Sequence, residues 1–407
     1  MNHFTIEQQT VLFLLRRSIW GEDCKLPDAI DWEVVDAIAQ AHDIIPFVFD
    51  GAVASKANVP IDLLGKWRNK TLFGIINNEK KLRAQDELFM WFSEKGIPAV
   101  VLKGSSVAQY YPQPELRVLG DIDVLVNKKD LEIAQNILTA GGYRMHEAEH
   151  EFHVGYRGQD AYVEVHYNVT NFPDSIGGKV TEDILSNFAE DTRWGKVENH
   201  VFSVLSDERQ ALSLILHMLR HMFSWGIGLR QLSDWAVYVA NMDSDYFAKS
   251  VVPVLANCGL LQYAKVATRA CIEFLGLPER KMNWCADVSD DICKEFMGEV
   301  FGAGNLGKGN ETGMGSLFVD GKAMGNKQSL IVAFISRQTQ LAYKNFPITR
   351  KYKILLPICW VYIPLRYLIR SLFGLRPKKS MTTIIASAKK SRDLYEKLAV
   401  FQIQEKQ

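Results

Sequence analysis

The sequence has no net charge, no long apolar run and no closely paired cysteines, and each lack removes a class of function. Its 47 Lys and Arg are matched by 47 Asp and Glu. It therefore lacks the basic excess of a general nucleic-acid binder, and no stable nucleic-acid partner is expected. The six cysteines, Cys24, Cys258, Cys271, Cys285, Cys293 and Cys359, show no C-x-x-C spacing. In a chain of 407 residues they read as reduced, mostly buried thiols, which fits a reducing cytosol. Residues 1–7 hold no basic stretch and meet an acid at Glu7, unlike a secretion signal. The uncharged run at 354–365 is twelve residues long and is interrupted by Pro357 and Pro364, too short to span a bilayer. A cytoplasmic location is the expectation.

One further absence is local. Residues 321–392 contain no Asp or Glu but 15 of the 47 Lys and Arg, which leaves 32 against 47 acids in the rest of the chain. A segment at +15 beside a remainder at −15 suggests an anionic surface, or docking onto the acidic part of the chain itself. Its basic residues lie beside Trp360, Tyr362, Tyr367 and Phe373. Peripheral membrane contact through 350–380, at the inner face of the membrane, is one expectation; packing within the chain is the other.

What is present is ordinary globular composition, 47% hydrophobic and 23% charged, enough for two or three domains. Residues 1–97 read as helical, with a long amphipathic stretch at 63–95 that ends at Gly96. Residues 98–205 change texture. Short apolar strands are expected at 98–102, 122–126 and 201–205, a helix at 130–140, and a hairpin from 152 to 167. Residues 206–407 return to helical periodicity, opened by a capping box of Asp207 with Gln210. The fold class is α+β: a small mixed-sheet core flanked by helical N- and C-terminal regions.

Chemistry concentrates in the core. On the strand at 122–126, side-chain alternation puts Asp121 and Asp123 on one face and Ile122 and Val124 on the other. Two carboxylates so placed repel each other, and a hard divalent cation such as Mg²⁺ or Mn²⁺ resolves the repulsion. The strand around Val163 repeats the pattern, with Glu164 and His166 sharing a face. If the two strands are neighbours, Glu164 becomes a third ligand, and two metals can clamp an in-line phosphoryl displacement. Gly104 and Ser105 lie between a strand and a helix, where backbone N–H groups can meet phosphate. Lys103 and Arg117 can neutralise phosphate charge.

The string Leu102-Lys103-Gly104, then Arg117, then Gly120-Asp121-Ile122-Asp123-Val124-Leu125-Val126, then Val163-Glu164-Val165-His166 resembles a bacterial family of nucleotidyltransferases in the polymerase-β superfamily. The likeness extends to His217-x-x-x-His221, to Leu229-Arg230-x-x-x-Asp234 and to Gly304-Asn305-Leu306-Gly307. It implies a polymerase-β-type core, metal dependence, NTP as substrate, and Asp121, Asp123 and Glu164 as metal-binding catalytic residues. Genes of the family often lie among polysaccharide or natural-product clusters, so transfer of a nucleoside monophosphate to an acceptor hydroxyl in such a pathway is expected. Two other readings stay open. One is a degenerate nucleotide-binding or scaffold protein; the other is a toxin-like enzyme that modifies RNA or protein.

The remaining motifs read as structural. His166 reads as a half-buried, hydrogen-bonded histidine. His217 and His221 lie one helical turn apart without an evident third ligand, so zinc is not expected. Arg230 and Asp234 read as an i,i+4 pair. The formal G-x-G-x-x-G at 302–307 follows a helical pattern rather than a strand, which argues against a dinucleotide fold. With eight glycines, residues 302–325 read as a loop.

Overall fold

A computed structural model describes residues 3–23, 25–147, 152–170, 172, 175–224, 226–279, 282–304, 335, 338–339, 341–343, 345–346, 348–372 and 393–402. The chain opens with helices α1 (Ile6–Trp20), α2 (Trp32–Ala41), α3 (Ile45–Ala54) and α4 (Ile61–Glu94). Thr5 and Gln8 form a reciprocal capping box at the start of α1, and Gly21 stops it in the left-handed region at φ 68°. Gly96, at φ +67°, ends the turn after α4 in the same way.

The sheet follows: β1 (Ala99–Val101), α5 (Ser105–Ala108), β2 (Ile122–Val126), α6 (Leu131–Ala140), β3 (Arg144–Glu147), β4 (His153–Arg157), β5 (Tyr162–His166), α7 (Ile176–Ser186), β6 (Thr192–Val197) and β7 (His200–Leu205). The seven strands lie in the order β3-β4-β5-β2-β1-β7-β6. The β2–β5 and β1–β7 pairs are parallel and the others antiparallel, so the sheet is mixed. The strands expected at 122–126 and 201–205 and the hairpin are present; the edge strands β3 and β6 carry no periodic signal and were not anticipated.

Alternation decides what each sheet face touches. Ile122, Val124 and Val126 of β2 and Val163 and Val165 of β5 pack with Leu88 and Phe92 of α4 and Leu138 of α6 in one apolar cluster. The opposite face of β2 and β5, with Asp123, Glu164 and His166, is therefore left for chemistry.

Beyond the sheet come α8 (Asp207–Ser224), α9 (Leu229–Asn241), α10 (Ser244–Tyr246), α11 (Val252–Asn257), α12 (Leu261–Leu275) and α13 (Asp290–Ala303). Helices from both ends of the chain share a single core, from Val11 and Leu15 through Trp235 and Phe274 to Leu398. Phe4 meets Phe274 edge-on at 5.2 Å, and the Trp20 indole donates to the Leu275 carbonyl at 2.6 Å.

Three local expectations are corrected or bounded. Asp207 does not form a capping box with Gln210: its carboxylate takes the Arg193 guanidinium, and the Gln210 amide donates to the Leu102 carbonyl and the Ser106 hydroxyl. Arg230 and Asp234 do not pair. Asp234 is held by Arg117, and Arg230 instead approaches Asp43, at 3.7 Å. The segment before the G-x-G-x-x-G match is helix α13, as its periodicity suggested, and the match from Asn305 onward lies outside the described residues, as does residue 24. The five described cysteines are free and buried. No helix among the described residues is long and apolar enough to cross a membrane.

Candidate active site

The site is built by the register between β2 and β5. In this parallel pair Asp123 stands opposite Glu164, and Asp121, two residues before Asp123, adds a third carboxylate on the same side. One oxygen from each of Asp121, Asp123 and Glu164 can be chosen so that all lie within 4.8 Å of one another. That is the arrangement expected from the sequence, and it arises because two residues per pleat keep all three on the face opposite α4 and α6.

The three are unequally exposed. Asp123 is 1% exposed, whereas Asp121 and Glu164 are half-buried. Lys103, just beyond β1, reaches Asp123 Oδ1 with its Nζ at 3.0 Å. His166 Nε2 lies 3.0 Å from the same oxygen and 3.2 Å from Glu164 Oε2. Asp123 Oδ2 is buried and has no hydrogen-bond partner. An unpartnered carboxylate oxygen inside a protein is costly, and a divalent ion held jointly with Asp121 and Glu164 would satisfy it. The oxygen-rich donor set fits Mg²⁺ or Mn²⁺.

Electrostatics favour the charged forms of these groups. Burial alone would raise the Glu164 pKa, but the His166 hydrogen bond and the nearby Lys103 outweigh it and hold the carboxyl at about 2. Burial works against the His166 and Lys103 cations, yet the carboxylates around them raise both pKa values.

Gly104 takes φ 72°, ψ −109°, a conformation open essentially to glycine alone, and so turns the chain from β1 into α5. Ser105 is buried, and its hydroxyl donates to Gln85 Oε1 at 2.6 Å. What Ser105 can offer a ligand is thus its backbone rather than its hydroxyl. Lys103, Gly104, Asp121, Asp123 and Glu164 come together at one place.

Arg117 is turned elsewhere. Its guanidinium donates to both Asp234 oxygens, at 3.1 and 2.6 Å, and to the Val118 carbonyl. The Tyr111 hydroxyl completes the Asp234 shell at 2.9 Å. Arg117 remains within electrostatic reach of Asp121, but its hydrogen bonds are spent on the helical layer, because a buried guanidinium needs a fixed counter-ion.

Two residues near the carboxylates, His153 and Arg220, were not singled out from sequence. His153, paired with His166 across β4 and β5, stacks on it at 5.1 Å between ring centroids and approaches Glu164 to 3.8 Å. From α8, His217 and Arg220 line a small recess together with Lys103 and His166. His217 and His221 meet through their Nε2 atoms at 2.9 Å. Burial, with Lys103, Arg220 and Arg230 close by, pushes both histidines far down, His221 to about 3, so both are neutral at pH 7. Among the described residues the side-chain groups able to hold a metal are the three carboxylates and the set His153, Glu164 and His166; His217 and His221 belong to neither. Arg220 sits between two histidines that sequence periodicity marks as an inward helical face, and that was the signal available for it.

A model of the family described as uncharacterised nucleotidyltransferase matches residues 28–276, more than half of the chain. Neither a curated protein nor a solved structure matches it.

Proposed function

The chain belongs to this uncharacterised nucleotidyltransferase family, and from that premise we propose that it transfers a nucleoside monophosphate from an NTP to an acceptor hydroxyl. The observation that carries the reading is the Asp121, Asp123 and Glu164 cluster, with the buried Asp123 Oδ2 left without a hydrogen-bond partner.

In this reaction the acceptor oxygen bonds to the α-phosphorus, the bond from that phosphorus to the bridging oxygen breaks, and pyrophosphate leaves. Asp121 and Asp123 would hold two divalent ions, Mg²⁺ or Mn²⁺, and Glu164 would share the second. The ions supply charge that stabilises both the attacking and the departing oxygen. Glu164 faces the acceptor side and receives the hydroxyl proton. Lys103, with the backbone of Gly104 and Ser105, holds phosphate oxygens. Arg117 acts as a positioning residue: it fixes the segment leading into β2 against α9. Positioning and charge neutralisation do most of the work in such sites.

The test is mass spectrometry of products after incubation with each NTP, Mg²⁺ or Mn²⁺, and candidate hydroxyl acceptors, beside calorimetry of metal-dependent NTP binding. Asp121→Asn is the variant of choice, since Asp123 is tied to Lys103 and its loss would strand a buried cation. The expected outcome is a nucleotidylated product from the native chain, and metal-dependent NTP affinity at least about tenfold weaker in the variant. Unchanged affinity in Asp121→Asn would remove the metal assignment. Metal-dependent NTP binding without any product would favour a degenerate, scaffold-type role. Label transferred to RNA or protein would favour the toxin-like one.

We also propose that the basic C-terminal segment touches an anionic membrane surface. The helix Leu356–Leu372 turns Leu356 and Cys359 inward but leaves Ile358, Val361 and Leu365 between 50% and 69% exposed, with Ile354 at 84% just before it. Spacings of four, three and four place these on one face, beside exposed Arg366, in a segment without acids. About 1 kcal/mol per basic residue is available near anionic lipid. Flotation with phosphatidylglycerol vesicles should show binding that weakens at high salt and in Ile358→Ser/Val361→Ser. Absence of binding at low salt would leave the face to contacts within the protein.

A further inference from the structure

We propose that Arg220 of α8 and Arg230 of α9 form a polyphosphate clamp over the carboxylate cluster, so that the helical layer binds the leaving group of the reaction.

Three observations lead there. Arg230 is a largely buried guanidinium whose counter-ion is poor. Its side chain is 17% exposed, and Asp43 stands 3.7 Å away, at the outer limit of an ion pair. Its Nε is buried without a hydrogen-bond partner. Burial pushes its pKa down, and the neighbouring Arg117 adds to the effect. A guanidinium offers five donors in a planar fork, and holding one inside a protein this incompletely paired is unfavourable unless an anion arrives. Contrast Arg117, whose fork is filled by Asp234.

Second, Arg230 interacts electrostatically with the site. It lies within electrostatic reach of Asp121, whereas its own helix neighbour Asp234 is already taken by Arg117. It also bears on His217 and His221, as Arg220 and Lys103 do.

Third, Arg220 shares a recess with Lys103, His166 and His217, with room for about one water-sized group. A single phosphoryl oxygen is of that size. The Arg220 guanidinium lies 5.2 Å from the centre of the Phe152 ring, which holds it in place without filling its donors. Because His217 is neutral, it can donate or accept there without adding charge.

Lys103 and Arg220 thus share the recess beside His166, and Arg230 lies within electrostatic reach of Asp121. Metal-bound carboxylates with three cations beside them suit a ligand with several negative charges in a row. A triphosphate has them; a monophosphate does not. The inference rests on the nucleotidyltransferase reading for its role in the reaction, but not for the binding itself.

The probe is inorganic tripolyphosphate, titrated by calorimetry into the full chain with and without Mg²⁺. Arg220→Gln, Arg230→Gln and Arg230→Lys are compared with the native protein. The native chain should bind tripolyphosphate, and each Gln variant should weaken it at least about tenfold, the scale of one charge-assisted hydrogen bond. Arg230→Lys should recover part of the loss. Mg²⁺ binding alone should be unchanged in all three, which reports an intact carboxylate cluster. The apo melting temperature of Arg230→Gln should be no lower than that of the native chain, because an ill-paired buried charge has gone. A structural tie to Asp43 would instead lower it.

Unchanged tripolyphosphate affinity in both Gln variants overturns the clamp, as does a native chain that binds no tripolyphosphate, or a loss of affinity accompanied by loss of Mg²⁺ binding. The two readings fail separately. Arginine-dependent tripolyphosphate binding without nucleotidyl transfer sinks the reaction and keeps the clamp. Normal transfer and affinity in the Gln variants keep the reaction and sink the clamp.

Discussion

Glu164→Gln should lower turnover by roughly 10²- to 10⁴-fold while NTP affinity stays within a few-fold of the native value. The change keeps the side-chain volume and removes the charge. Glu164 stands at 13% exposure with His153 and His166 as its neighbours, so the fold should tolerate an amide there. His166 keeps its other bond, to Asp123. In the proposed reaction, what is lost is a carboxylate on the acceptor side, where charge would develop as the hydroxyl proton leaves. An interaction made mainly in the transition state appears in kcat and leaves ground-state binding nearly untouched. Quantitative pyrophosphate release under saturating NTP and metal, with affinity measured separately, decides it. Normal turnover in this variant would mean that another acid is the third carboxylate.

The largest effect on stability should come from the Arg117–Asp234 pair. Both side chains are 5% exposed, and the pair joins the segment before β2 to α9 across the middle of the molecule. Asp234→Ala leaves a buried guanidinium and the Tyr111 hydroxyl without their acceptor. Breaking a buried pair on one side costs about 3–5 kcal/mol. Replacing both partners, as in Arg117→Met/Asp234→Leu, removes the stranded charge and should be less damaging than Asp234→Ala alone. Urea denaturation of the variants, read as a double-mutant cycle, measures the coupling. A loss below about 1 kcal/mol in Asp234→Ala would show that the pair is not what ties these elements.

These two residues also mark where sequence reading stops. Asp121, Asp123 and Glu164 were legible because each lies on a short strand whose apolar partners alternate with it, and alternation is a local property. Their meeting depended on β2 and β5 being neighbours, which the matching patterns suggested and the Asp123–Glu164 register provides. Gly104 was legible as a turn because only glycine adopts its backbone angles. Arg117 shows the opposite case. Nothing local connects it with Asp234, 117 residues later, so the ion pair it makes there was not legible beside its possible role as a phosphate ligand. The same long-range blindness led Arg230 to be paired with Asp234 by helical spacing. The edge strands β3 and β6 escaped notice because exposed edges need no apolar periodicity. His153 was hidden because its relevance comes only from standing beside His166 across an antiparallel pair.

The shared core has a consequence for the growing chain. α1 rests on α12, and the Trp20 indole finds its acceptor only at Leu275. β1, an interior strand of the sheet, lacks one neighbour until β7 has been made. During synthesis the acidic cluster is therefore complete in sequence by residue 166, yet Arg117 waits for Asp234 and the first helices wait for the twelfth. Until then a ribosome-bound chain carries its carboxylates on an unfinished sheet, with an apolar N-terminal face uncovered, the state in which nascent proteins most need a chaperone.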